Sequence, residues 1–148
     1  MLAFDKESQT RIFRIAGERA AGKPLNAEDE PVARVLDAHA EFDELWQQGD
    51  LATYPREING AIVNPFVHTV LHVIINRQID NEDPVFVAET RARLLEQGMD
   101  EHECLHAIIA AYADIYFGNF RKGRGFDHLD YQSRLNMLSY EANQGDEE

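Results

Sequence analysis

The sequence predicts an all-α protein, a single-domain helical bundle of about six to seven helices, on three observations. Helix starts and stops recur along the chain: Asn64-Pro65 and Asp83-Pro84 pair a capping residue with proline at the first helical position, and Gly22 and Gly98 stand where helices should end. Strand punctuation is nearly absent. The 148 residues, 44% of them hydrophobic, suffice for one substantial core and are too few to suggest two. Residues 1–140 are therefore expected to form a single helical domain, with 141–148 as a disordered acidic tail.

Each element has its own warrant. The first helix is expected from Asp5 to Ala21, with Ile12, Phe13, Ile15 and Ala16 toward the core, Gly22 closing it and Pro24 preventing continuation. Asn26 should cap a second helix carrying Val32, Val35 and Leu36, with Glu28, Asp29 and Glu30 in the turn that the helix dipole favours for acids. A third, His39 to Gln48, presents Phe42, Leu45 and Trp46. Leu51 to Val63 contains Pro55, Asn59 and Gly60 without a sustained period and reads as a loop. The fourth helix starts at Asn64-Pro65, runs to Ile79 and is apolar on almost every side, which marks a central, buried position. The fifth spans Pro84 to Gln97; Asp100 caps a sixth that reaches Phe120, and Asp127 caps a last one carrying Leu129, Leu135 and Leu138.

Charge and cysteine content narrow the function classes. A formal net charge of -13 repels phosphate backbones and anionic membranes, so neither nucleic acid nor a membrane is expected as a partner. The basic cluster Arg121-Lys122-Gly123-Arg124 follows a predicted helix and suits the C-terminal end of its dipole. Cys104 is the single cysteine, which excludes an internal disulfide and fits a reducing compartment. The N-terminus meets charge almost at once, and the longest apolar run, Val70 to Ile75, falls far short of the roughly 20 residues that cross a bilayer. A cytoplasmic protein is expected.

The histidines carry the chemistry. His68 and His72, and again His102 and His106, stand at i and i+4, which puts each pair on one helix face one turn apart. Imidazole is the commonest ligand of transition metals. Short links before and after the fifth helix make the fourth and sixth run parallel, so both pairs should lie at the same end of their helices and converge. Four neutral imidazoles buried together would need many partners and four charged ones would repel; a divalent cation resolves both problems.

His68, His72, His102 and His106 are thus the expected ligands of one divalent transition metal, zinc first and iron or manganese second. Glu103 is the candidate base for a metal-bound water if three histidines bind and one position stays open, which would support a hydrolase or an oxidoreductase. A closed set of four would be structural. The competing reading is a non-enzymatic interaction or adaptor protein whose histidines form a polar cluster in the core. His39 and His128 have no partner at ligand spacing and read as surface or capping residues.

Two better-known patterns fail. His102-Glu103-Cys104-Leu105-His106 has the zinc-protease spacing, but the metzincin continuation needs glycine where Ile109 stands and histidine where Tyr112 stands. Glu103-x-x-His106 matches half of a di-iron carboxylate site, while the fourth helix has no glutamate three residues before either histidine. Cys104 faces away from the two histidines of its helix and reads as a small buried hydrophobe. Tyr112 and Asp114, about two turns beyond His106, are candidates for a pocket lining.

Asn64-Pro65-Phe66-Val67-His68-Thr69-Val70-Leu71-His72, Gln78 and the later His102-Glu103-Cys104-Leu105-His106 resemble a bacterial family of small proteins known only as a domain of unknown function. The likeness runs from the N-terminal helix through Gly22-Lys23-Pro24-Leu25 to about Phe117. It implies a shared helical fold with the histidines as its site, and names no reaction. Family members often carry glutamates where this chain has Arg77 and Leu105, so the resemblance implies no extra carboxylate ligands here.

Overall fold

Aspartates at helix starts set several of the element boundaries. In the computed structural model, which describes residues 2–140, Asp5 accepts from the Ser8 N–H, Asp100 from those of His102 and Glu103, and Asp127 from that of Asp130. Each carboxylate satisfies a donor that the first turn of a helix leaves over. The described residues form seven α-helices: α1 (Lys6–Ala20), α2 (Glu30–Ala38), α3 (Asp43–Trp46), α4 (Pro65–Asn81), α5 (Val85–Glu96), α6 (Glu101–Arg121) and α7 (His128–Met137). The all-α expectation holds, with one small exception noted below. The acidic tail expected at 141–148 lies outside the described residues.

The chain divides into two compact units, Met1–Ile74 and Ile75–Glu148, and α4 passes from the first into the second. In the first unit, Ile12 and Ile15 of α1, Val32, Val35 and Leu36 of α2, Phe42, Trp46, and Phe66, Val70 and Val73 of α4 form one apolar cluster. A buried carboxylate ties α1 to the start of α2. Asp29 is 2% exposed and accepts from Arg11 Nε and Nη2, both at 3.3 Å, and from Arg14 Nη2 at 3.0 Å. Arg11 also donates to the Glu28 carbonyl at 2.8 Å.

Four local expectations are corrected. Asn26 does cap a turn, but its side chain accepts from the Asp29 N–H at 3.1 Å and α2 starts only at Glu30, with Pro31 in its first turn, where proline costs nothing. The expected His39–Gln48 helix is broken into a 3₁₀ turn, Ala40–Phe42, the single turn of α3, and a second 3₁₀ turn, Gly49–Thr53. Its apolar residues reach the core all the same, since Phe42 and Trp46 are buried.

The expected loop after Leu51 contains a hairpin. β1 (Arg56–Ile58) pairs antiparallel with β2 (Ala61–Val63) in the register Arg56 with Val63, Glu57 with Ile62 and Ile58 with Ala61. Asn59 and Gly60 both have positive φ, 52° and 88°, the backbone that a two-residue primed turn requires. Asn-Gly is the strongest short signal for such a turn, and three-residue strands are too short to show a period of two.

Asn64 joins this region to α4. Its side-chain oxygen accepts from the Val67 N–H at 3.1 Å, its amide donates to the Thr53 carbonyl at 3.0 Å, and Pro65 opens the helix as expected. Asp83-Pro84 is different: Pro84 is extended, no side chain caps α5, and the helix begins at Val85.

The second unit is built from the end of α4 with α5, α6 and α7. Tyr131 is fully buried, its ring 5.3 Å from that of Phe86 and 5.5 Å from that of Tyr112, and its hydroxyl donates to Gln78 Oε1 at 2.8 Å. Arg93 closes α7 by donating to the carbonyls of Leu135 and Leu138 at 2.9 and 2.7 Å. No described helix is long and apolar enough to cross a membrane.

Candidate metal centre

α2 ends where its last carbonyls lose their helical partners. His39, the residue after the last turn, folds its ring back so that Nδ1 lies 2.7 Å from the Val35 carbonyl oxygen. A carbonyl only accepts, so Nδ1 carries the hydrogen, and the neutral ring then presents a lone pair at Nε2. Phe42 stacks on this imidazole, with centroids 5.5 Å apart and planes at 16°, and meets His68 edge to face at 5.8 Å. The surroundings of the two rings on that side are apolar.

α4 supplies the other two rings. His68 and His72 stand one turn apart with Nε2 atoms at 3.1 Å, and His68 Nε2 lies 3.2 Å from His39 Nε2. The ring centroids make a nearly equilateral triangle: 4.6 Å between His68 and His72, 4.6 Å between His39 and His72, and 4.9 Å between His39 and His68. His39 and His72 are each 4% exposed. These three histidines belong to a group whose ligand atoms are close enough to hold one metal ion.

The nitrogen spacing says what the triangle can do. His68 Nε2 faces a fixed lone pair on His39 and a second ring nitrogen on His72; a single hydrogen on it would have to be split between the two. A cation among the three nitrogens would instead accept a lone pair from each. In a tetrahedral site with metal–nitrogen bonds of about 2.0–2.1 Å, neighbouring nitrogens lie about 3.3–3.4 Å apart. The observed edges of 3.1 and 3.2 Å are within the small adjustment that binding requires.

The expected pair His68 and His72 is thus brought together, and His39 joins it. His102 and His106 stand in the first turns of α6, in the second unit, with ring centroids 4.1 Å apart. His102 is exposed and is not among the histidines grouped as candidate ligands. Its backbone N–H, like that of Glu103, is held by the Asp100 cap. Glu103 is exposed as well, an acid in the first turn, where the helix dipole stabilises it. Cys104 is buried, with its thiol pushed up from the ordinary value by that burial. Tyr112 packs among Tyr131 and Phe126, and Asp114 pairs with Arg134 at the surface.

Spacing along one helix could not find His39, because its partners are on another helix and it lies past the end of its own. The readable signal was its position: a histidine one turn after Val35 and three residues before Phe42 can reach the free carbonyl and be covered by the aromatic ring.

A family described as a domain of unknown function, DUF1841, matches residues 5–137. The chain belongs to that family. No curated protein and no solved structure matches it. The DUF1841 match spans every helix described above and all six histidines, so the triangle formed by His39, His68 and His72 lies inside the family's own domain.

Proposed function

We propose that this DUF1841 protein binds one divalent transition metal through Nε2 of His39, His68 and His72. Zinc is the first candidate, with iron and manganese next, since neutral nitrogen donors suit all three. The observation that supports the reading is the nitrogen triangle: two edges of 3.1 and 3.2 Å, with the tautomer of one corner assigned by the Val35 carbonyl. His39 joins His68 and His72 because it is buried beside them, and His102, expected from sequence, is left out because it is exposed.

The test is elemental analysis of protein purified without an affinity tag or chelator. About one metal per chain is expected. His39→Ala and His68→Ala should lose it, while His102→Ala and Glu103→Gln should keep it. Protein that contains no metal and takes up none of the three when they are added would sink the proposal. The histidines would then be a polar network in the core of an interaction protein.

A further inference from the structure

A second feature of α4 says more about the ligand set. Thr69 stands between His68 and His72 and is 0% exposed. Among the described residues its hydroxyl Oγ1 has no hydrogen-bond partner. A buried helical threonine usually satisfies its hydroxyl on the carbonyl one turn back. Thr90 in α5 does so, donating to the Phe86 carbonyl at 2.7 Å. Thr69 makes no such bond.

An unsatisfied buried hydroxyl is costly enough that native structures rarely keep one without a missing partner. Residues three apart on a helix are surface neighbours, so Thr69 stands about one turn from His72, which carries one corner of the nitrogen triangle. The donors around the metal are all neutral imidazoles. A divalent ion there keeps its full charge next to the apolar ring of Phe42, which favours an anion or a hydroxide as an added ligand.

Resting on the metal-site reading above, we infer that the bound metal carries one further, exogenous ligand of the small-anion class, hydroxide or a monovalent anion, and that Thr69 Oγ1 donates a hydrogen bond to it. If four imidazoles completed a closed shell, Thr69 would face nothing it could bind. Thr69 is then a positioning residue for the added ligand, not a metal ligand.

The experiment uses full-length protein loaded with cobalt(II), whose visible spectrum reports coordination, titrated with sodium azide. The wild type should change its spectrum on saturation with azide. Thr69→Val, which keeps the shape and removes the hydroxyl, should take up cobalt equally and bind azide about tenfold more weakly. Thr69→Ser should restore most of that loss.

A separate measurement excludes a structural role. Metal-free Thr69→Val should unfold at the same or a higher denaturant concentration than the wild type, because no protein bond is lost. A cobalt spectrum indifferent to azide, or equal azide affinity in wild type and Thr69→Val, would overturn this inference while leaving the metal site standing. So would a Thr69→Val variant clearly less stable without metal. Failure to take up cobalt at all would overturn the metal-site reading beneath it as well.

Discussion

The imidazole of His39 is held by the carbonyl oxygen of Val35, one turn back along α2, at 2.7 Å. One bond has two effects. It satisfies an acceptor that the helix end would leave over, and it fixes which ring nitrogen turns toward His68 and His72. His39, which reads from sequence as a surface or capping residue, is buried and caps α2, and the same bond leaves its Nε2 lone pair free to face the other two rings.

His39→Ala should therefore cost more in metal affinity than the roughly 10–100-fold typical of losing an outer partner of a ligand. Wild-type protein with metal at 100 times its Kd gains about 2.7 kcal/mol of stability by mass action. The variant should show no such gain at the same concentration. Denaturant unfolding with and without added zinc measures both, and an unchanged gain in the variant would remove His39 from the site.

Asp29 makes a prediction about stability alone. Its carboxylate is buried against Arg11 and Arg14, both of which reach solvent. Breaking a fully buried pair costs about 3–5 kcal/mol because a charge is left unpaired. Here the stranded arginines can be rehydrated, so Asp29→Ala should cost less, about 2 kcal/mol, and metal binding per folded molecule should not change. Urea unfolding gives the first quantity and metal stoichiometry the second.

What was legible in the sequence follows from the range over which its signals act. Caps act within one turn, so Asn64, Asp100 and Asp127 could be read directly, and each is found at a helix start. The pairing of His68 with His72 is also a one-turn relation. His39 depends on where α2 packs against α4, which no local spacing encodes. The hairpin failed for the opposite reason: its three-residue strands carry too little pattern, although Asn59-Gly60 announced the turn. Exposure of His102 was equally out of reach, since i and i+4 spacing places two rings on one face without saying which of them the fold covers.

That turn can be tested. Gly60 has φ of 88°, a conformation that L side chains rarely adopt, and a Cβ there would meet open space. Strain alone is at issue, so Gly60→Ala should cost about 1 kcal/mol, and Gly60→Asn less, because asparagine tolerates left-handed backbone. Backbone amide exchange at β1 and β2 should rise in Gly60→Ala before the global midpoint moves. No change in exchange would mean that the hairpin does not depend on its turn.

Alkaline pH should act mainly on the second unit. Burial pushes the Tyr131 phenol far above its ordinary value, with the neighbouring Tyr112 adding to the shift, and burial raises Tyr112 too. In the unfolded chain these hydroxyls ionise near pH 10. Above that pH the unfolded state gives up protons that the folded state keeps. The stability they contribute is therefore complete below pH 10 and declines as pH rises from there toward the folded value. Tyr131→Phe removes one of the two groups and should flatten this decline. It also removes the bond to Gln78 Oε1, which should cost about 1–2 kcal/mol at neutral pH. Urea midpoints from pH 7 to 11 separate the two effects: a lower starting stability with a shallower alkaline slope is expected, and an unchanged slope would mean that Tyr131 ionises as easily folded as unfolded.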